Sequence, residues 1–419
     1  MTPFSDLFRT FGHIGLMSFG GPAAQIALMH RVLVDERKWL TEKEYLSALS
    51  FCMLLPGPEA MQLATWSGWR LRGTPGGLVA GLLFVLPGAL VVLALAMTYA
   101  AFGQVPLMQA LFTGVQAAVA VIVIEALLRV GKRALKGRAA LAIAALAFAA
   151  LFFLNAPFPL VILAAGLWGY ATAGQDTGPL PPAPRATHTA RTVALWATIW
   201  LAPLALLWAT DAGILKDIAT FFAKLAILTF GGAYAVLAWM AQAVVEDEGW
   251  LTLRQMMDGL GLAETTPGPL ILVTEFVGYM AAHRQGGWTL GLAGAAVTLW
   301  MTFVPSFLMI FAGAPWIARI TADPRLAGAL SAIMAAVVGV IANLSVWFAA
   351  HVFFAQVGRT DLGPLTLLTP DPASFRPGLA ALAILSGWLL LRRHWPLPWV
   401  LAVAAGGGLA LHALLPAMA

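Results

Sequence analysis

Four long stretches of the chain carry no Asp, Glu, Lys or Arg: Gly73–Ile124, Ala139–Gln175, Thr192–Thr210 and Gln285–Ala318. A helix that crosses a bilayer needs roughly 20 such residues, so some runs hold one crossing and the longer ones two. Apolar segments punctuated by charges, Gly and Pro predict helices over roughly 5–33, 43–70, 76–101, 105–129, 138–154 and 157–173. A second series covers roughly 214–245, 254–282, 288–313, 325–354, 377–392 and 396–415. Between them, Gly174–Arg191 is rich in Pro, Thr and Ala and reads as a linker, followed by one extra apolar segment, Thr192–Thr210.

The two series repeat one another. Ser18-Phe19-Gly20-Gly21 recurs as Thr229-Phe230-Gly231-Gly232, Trp39-Leu40-Thr41 as Trp250-Leu251-Thr252, and Pro56-Gly57-Pro58 as Pro267-Gly268-Pro269, all at an offset of 211 residues. Gly68 and Gly76-Gly77 fall opposite Gly278 and Gly286-Gly287 after a one-residue slip. Rare tripeptides do not share one register by chance, so the chain is a duplication. The predicted fold is an all-α polytopic membrane protein of two homologous helical repeats, 1–173 and 214–419. They are joined through 174–213, a linker plus one extra transmembrane helix. Six crossings plus one would insert the second repeat with inverted topology. The count is about a dozen crossings, and fewer if the helices broken at Gly/Pro motifs are re-entrant hairpins.

Composition agrees with a lipid environment. Hydrophobic residues make up 60% of the chain and charged residues 10%, against about 25% charged in soluble domains. Asp6 and Arg9 interrupt the first apolar stretch, so no cleavable signal is read there. The single cysteine, Cys52, excludes an intrachain disulfide and a multi-cysteine metal site. The net charge of +5 calls for no nucleic acid, because membrane proteins concentrate Lys and Arg in cytoplasmic loops. The loop Arg129–Arg138 carries five bases and no acid and is placed in the cytoplasm. Counting from it puts the N-terminus, Arg70, Arg72, Arg185, Arg191, Arg319, Arg325, Arg392 and Arg393 on that side too. Gln356–Phe375 then faces the periplasm. Glu246-Asp247-Glu248 falls on the cytoplasmic side against the charge trend.

The repeated motifs lie inside otherwise apolar helices. Gly20-Gly21-Pro22 and Pro56-Gly57-Pro58 withdraw backbone hydrogen bonds, because proline has no N–H and clashes with the preceding turn. Lipid cannot satisfy the freed groups, so such breaks persist only against protein or a polar cavity. A broken helix presents N–H groups and partial positive charge at the start of its second half, which suits an anion near the membrane midplane. The competing reading is kinks that serve packing alone; repetition of both motifs in both halves weighs against it.

Charges inside the membrane are costly, by about 2.5–3.5 kcal/mol each on insertion scales, and mark function by default. Glu59 follows the first Pro-Gly-Pro, with Gln62 three residues on; Glu264 precedes the second, and Glu275 follows it. Beside a helix break these carboxylates could take up and release a proton, coupling transport to the proton gradient. Glu125 is expected to pair with Arg129 at i+4, and Lys224 to extend its stem toward the interface. Arg31, Arg37, Lys38 and Lys43, offset by Asp35, Glu36, Glu42 and Glu44, read as a solvated loop. The seven histidines show no zinc spacing, and neither a Walker loop nor a Gly-x-Ser-x-Gly elbow is present.

In order along the first repeat come Phe11-Gly12-His13-Ile14-Gly15, Ser18-Phe19-Gly20-Gly21-Pro22 and Asp35-Glu36-Arg37-Lys38-Trp39-Leu40. Leu54-Leu55-Pro56-Gly57-Pro58-Glu59-Ala60-Met61-Gln62-Leu63 and Gly68-Trp69-Arg70-Leu71-Arg72-Gly73 follow. The second repeat has Thr229-Phe230-Gly231-Gly232 and Thr265-Thr266-Pro267-Gly268-Pro269-Leu270. Taken together these resemble the chromate ion transporter (CHR) family in its long two-domain form, over nearly the whole chain. The resemblance implies gradient-driven efflux of chromate, a tetrahedral dianion like sulfate, across the bacterial inner membrane, with chromate resistance as the outcome.

The candidate substrate-binding residues are Ser18, Gly20, Gly21, Pro22, Gln25, Pro56, Gly57, Pro58, Gln62, Arg70, Thr229, Gly231, Gly232, Thr265, Thr266, Pro267, Gly268 and Pro269. Glu59, Glu264 and Glu275 are the candidate proton-coupling groups. Leu270, Val273 and Val236 stand where the first half has Glu59, Gln62 and Gln25, which puts two-fold symmetry of the site in doubt and favours the first half for substrate chemistry. The expected function is a secondary transporter, an antiporter exporting chromate, with the lipid bilayer as its environment and no catalytic residues, cofactor, metal or nucleic acid. A sulfate or other oxyanion carrier, an intramembrane enzyme and a non-transporting scaffold are the alternatives. A homodimer is left open.

Overall fold

The computed structural model describes residues 2–19, 21–174, 186–230, 233–363 and 365–414. In chain order the first half forms α1 (Phe4–Met17), α2 (Gly21–His30, continued by a π-helical turn Arg31–Glu36), α3 (Glu42–Leu54) and α4 (Glu59–Phe102). Then follow α5 (Pro106–Ala134), α6 (Arg138–Leu154) and α7 (Phe158–Thr172). The extra segment is α8 (Ala186–Ala209). The second half forms α9 (Ile214–Leu228), α10 (Ala233–Gln242, continued by a π-helical turn Ala243–Asp247), α11 (Leu253–Thr265), α12 (Val273–Gly313) and α13 (Ile317–Ala322). It closes with α14 (Pro324–Phe353), strands β1 (Val357–Leu362) and β2 (Leu365–Pro370), α15 (Pro377–Gly387) and α16 (Leu397–Leu414). Among the described residues, five stretches are long and apolar enough to cross a membrane: Glu59–Phe102, Pro106–Ala134, Thr187–Ala209, Leu270–Ile320 and Pro324–Phe353. The predicted segments are helical, but 5–33, 43–70 and 214–245 are each split in two, and the predicted loop 356–375 holds the antiparallel hairpin β1–β2.

The chain forms two compact units, each drawn from both repeats: Met1–Ala100, Gly174–Val236 and Leu262–Ala327 in unit 1, and Ala101–Ala173, Leu237–Gly261 and Gly328–Ala419 in unit 2. Unit 2 packs through small residues that let helix backbones approach. Ala118 and Ile122 of α5 bury against Leu401 and Ala404 of α16, and Ala117 and Val121 against Ala383 of α15. One carboxylate in it is held from several sides: Arg359 donates twice to the Glu246 carboxylate, at 2.6 and 2.7 Å, and Trp347 Nε1 donates to the same group at 2.9 Å. An ion pair cannot bridge a bilayer. Glu246 and Arg359 therefore share one side of the membrane, which corrects the expectation that 214–245 crosses as one helix and leaves Glu246 opposite Arg359.

Unit 1 corrects the first half in the same way. Glu44, at the start of α3, pairs with Arg70 at 2.8 Å, although 43–70 was expected to cross as one helix. The chain instead turns back at Pro56-Gly57-Pro58, so that α3 and residues 59–71 form a re-entrant hairpin with both ends on one side. The preceding pair does likewise: Arg72 Nε donates to the Thr2 carbonyl at 2.5 Å, and His30, at the far end of α2, contacts Glu42 at 2.6 Å. Each limb is about 15–20 Å long, too short for a hydrocarbon core of about 30 Å.

The hairpin continues inside α4 itself. Arg72 (φ −143°, ψ 22°) and Gly73 (φ 64°, ψ −158°) reverse the helix, and Gly68 lies against the Gly76 backbone. In α12 the same angles occur at Gly286 (φ −146°, ψ 21°) and Gly287 (φ 69°, ψ −159°), and Gly278 lies against Gly294. Gly286-Gly287 thus corresponds to Arg72-Gly73, not to Gly76-Gly77 as the sequence register suggests. Beyond the turn the offset becomes 218, matching Gly76 to Gly294 and Pro87 to Pro305. The sequence register fails there because the extra residues sit in a hairpin tip, where length is unconstrained by packing.

Helix-interior prolines explain how α8 is held. Pro203 in α8 and Pro305 in α12 lack N–H groups and leave the carbonyls of Ile199 and Met301, four residues earlier, without helical partners. Trp300 Nε1 donates to the Ile199 carbonyl at 3.1 Å, and Trp200 Nε1 to the Met301 carbonyl at 3.2 Å. Each helix caps the other's broken rung. We expect Trp200→Phe to lower stability by about 1–3 kcal/mol, read as a fall in thermal unfolding temperature in detergent. The loss should shrink in a Pro305→Ala background, where a backbone N–H replaces the indole.

Candidate functional site

The site is built where helices stop. Ser18 follows α1 and Thr229 follows α9, and each hydroxyl donates back to the carbonyl four residues earlier, Ile14 at 2.6 Å and Leu225 at 2.7 Å. Their own carbonyls accept from the opposite repeat. Gly57 N–H donates to the Thr229 carbonyl at 2.7 Å, and Gly268 N–H donates to the Ser18 carbonyl at 2.9 Å. The breaks of the two repeats are therefore tied together by a reciprocal pair of backbone hydrogen bonds. Both glycine N–H groups, expected to face an anion, are committed to these bonds.

The tips demand glycine. Gly57 has φ +123° and Gly268 φ +91°, a region that side chains rarely enter. A Cβ on Gly57 would also stand 2.5 Å from Gln62 Nε2 and 2.8 Å from Ser306 Oγ; one on Gly268 would stand 3.3 Å from Gly88 Cα. The flanking prolines stop the preceding helix and offer no competing donor.

Each junction holds one glutamine, and both come from the first repeat. Gln62, fully buried in α4, donates Nε2 to the Pro56 carbonyl at 2.7 Å. Gln25, buried in α2, reaches across to the second repeat's break and donates Nε2 to the Gly268 carbonyl at 2.6 Å and the Ser18 carbonyl at 3.2 Å. The sequence asymmetry thus becomes a balanced arrangement, with one amide per junction. Carbonyl partners fix the amide orientations, which leaves each Oε1 as a buried acceptor without a partner among the described residues.

Unsatisfied buried polar groups fall in the unit that holds these junctions. Among the described residues, the seven buried side-chain atoms without a hydrogen-bond partner belong to Thr10, Gln25, Gln62, Trp66, Glu275, Tyr279 and Thr302. All seven residues lie in unit 1. Native interiors rarely leave such groups unpaired, so unit 1 is where candidate site residues are sought. Glu275, in the first turn of α12, is 1% exposed, and Glu264, near the end of α11, is 8% exposed. Glu59 opens α4 and is half-buried.

Other candidates fall as follows. Gly21 and Pro22 begin α2. The hydroxyls of Thr265 and Thr266 turn back onto the Leu262 and Ala263 carbonyls at 2.7 and 2.9 Å at the end of α11. Pro267 and Pro269 flank Gly268 between α11 and α12. Gly20, Gly231 and Gly232 lie outside the described residues. Arg70 is not brought to the breaks: it lies at the far end of its limb, exposed, on Glu44. Hydrogen bonds from the Thr41 backbone and hydroxyl, then Arg70, hold the Glu44 carboxyl below its ordinary range. Ser306 and Thr302 escaped the sequence reading. Their signal is a hydroxyl every fourth residue, Thr298-Thr302-Ser306, within the uncharged run Gln285–Ala318.

Apolar membrane-length helices, with short hairpins tied to one another at their breaks, define a multi-pass membrane protein. The chain belongs to the chromate transporter family, whose sequence profile matches residues 5–170 and 216–409. It is 33% identical over 384 residues to the chromate transport protein of Pseudomonas aeruginosa, covering 90% of this chain and 87% of that one. It is 30% identical over 407 residues to the probable chromate transport protein of Synechococcus elongatus, covering 96% and 94%. The chromate transport protein of Cupriavidus metallidurans is 30% identical over 336 residues, 80% of each chain. The named relatives are transporters, not enzymes. No solved structure matches the chain.

Gly57→Ala should strain the tip by about 1–3 kcal/mol and press on Gln62 and Ser306. The expected result is membrane insertion at wild-type level with transport reduced at least tenfold; Gly73→Ala, in open space, should spare transport more.

Proposed function

We propose that this protein is a secondary-active exporter of chromate, working from the cytoplasm across the bacterial inner membrane and giving chromate resistance. The observation that carries the reading is the reciprocal Gly57–Thr229 and Gly268–Ser18 hydrogen bonding of broken helices. Each bond joins a break of one repeat to a break of the other, and the helices that restart at the breaks, α2 and α4 among them, present positive dipole ends that favour an anion. Ser18, Gln25, Gln62, Thr229 and the two Pro-Gly-Pro tips form the oxyanion site in this reading, with Ser306 added.

The N-terminus is cytoplasmic in this scheme. The first repeat's re-entrant hairpins then enter from the cytoplasm and the second repeat's from the periplasm, with α8 supplying the inversion. Residues 1–173 and 214–419 remain the evolutionary repeats. Arg129–Arg138, Arg319, Arg325, Arg392 and Arg393 stay cytoplasmic, and Glu246-Asp247-Glu248 moves to the periplasm beside Arg359. The acidic segment then no longer opposes the positive-inside rule.

Glu59, Glu264 and Glu275 couple export to protons: protonation removes the negative charge beside the anion, and release to the cytoplasm restores it. Glu275, Tyr279 and His283 share one face of α12 at four-residue spacing, and the last two rings stack at 5.5 Å. They offer a route from the surface to the break.

Chromate accumulation in cells, and uptake into everted vesicles with chromate and sulfate side by side, tests this. Wild type should lower cellular chromate and load everted vesicles with chromate ahead of sulfate. Glu59→Gln should insert normally and change the pH dependence. Unchanged accumulation with correctly inserted wild type would refute the exporter, and a Glu59→Gln variant matching wild type at every pH would remove that residue from coupling.

A further inference from the structure

An apolar groove on unit 2 has a basic mouth. It is a cavity of about 520 Å³, lined along α6 from Ala139 to Ala150 and along α7 from Leu160 to Trp168, with Ala336 of α14 at its floor. Its walls are open: Leu146, Leu160 and Trp168 are 70%, 59% and 60% exposed. Small alanines, rather than bulky side chains, leave the space. The α6 wall is about 16 Å long, which is about one leaflet of a hydrocarbon core about 30 Å thick.

The end at Ala139 adjoins Arg138 and the preceding basic segment. Within that segment Lys132, Arg133, Lys136 and Arg138 are exposed and form no ion pair among the described residues, whereas Arg129 is engaged by Glu125. The same end carries the start of α6, 17 residues long, where Gly137 supplies no side-chain cap. Its first N–H groups and the positive end of the helix dipole therefore add to the four bases. Trp168 stands toward this end of the antiparallel α7, as an aromatic at a membrane interface does. A leaflet-long apolar channel with concentrated positive charge at one end matches a single amphiphile.

We propose that this groove is a specific binding site for an anionic phospholipid, an acyl chain lying between α6 and α7 and the headgroup phosphate held by Arg133, Lys136 and Arg138. The inference stands independently of the exporter reading, because it uses no residue of unit 1.

The test is lipid retention by the full-length protein. Protein is reconstituted in phosphatidylcholine vesicles with graded phosphatidylglycerol, and bound lipid is counted by native mass spectrometry. Wild type should retain phosphatidylglycerol over phosphatidylcholine. Replacing Arg133, Lys136 and Arg138 by Gln should weaken that preference about fivefold for each base removed, with helical content unchanged. Ala164→Phe, or Ala142→Phe as a second filling variant, should expel the lipid whatever its headgroup. Inorganic phosphate should not displace it. Equal retention of the two lipids by wild type, full retention in both filled variants, displacement by phosphate alone, or a cross-link between two copies through Ala164→Cys would each overturn the proposal.

Discussion

A backbone polar group in lipid has no water to fall back on, and the structure is organised around that constraint. Proline and glycine break the helices of this chain repeatedly, and the freed groups find protein partners. At the tips, Gly57 and Gly268 donate to carbonyls of the opposite repeat. Where Pro203 and Pro305 interrupt α8 and α12, indoles take the place of the missing N–H. Repeated breaks therefore bind the two repeats to one another instead of weakening each separately.

That economy also separates scaffold from chemistry. The backbone links are near two-fold symmetric, with Ser18 answering Thr229 and Gly57 answering Gly268. The side chains are not. Both glutamines come from the first repeat, yet Gln25 crosses to serve the second repeat's break. On the second arms, Gly88 stands where the other repeat has Ser306, a glycine against a hydroxyl. A symmetric frame holding unequal polar groups gives two junctions of similar backbone geometry and different side-chain chemistry.

Much of this was legible locally. Uncharged runs mark the long helices, the 211-residue offset marks the duplication, and Pro-Gly-Pro marks the breaks because proline and glycine act through their own backbones. Glu125 beside Arg129 followed from helix geometry alone. Sequence reading failed where distance along the chain stops predicting distance in space. Arg70 follows the first break closely enough to look like a site residue, yet an α-helical limb carries it back to Glu44. Ser306 lies far from Gly57 in sequence and beside it in the fold.

Taken alone, the sequence determined that the chain lives in lipid, that it is a repeat, and where its helices break, since each depends on side-chain transfer energies and on residues acting in place. Only the tertiary structure decided what happens after a break. Whether the chain continues across the membrane or turns back depends on a few backbone angles at Gly57 and on the Thr229 carbonyl far along the chain that meets it. Both outcomes have the same hydropathy. The ion pairs Glu44–Arg70 and Glu246–Arg359 distinguish them, because opposite charges can meet only on one side of a bilayer.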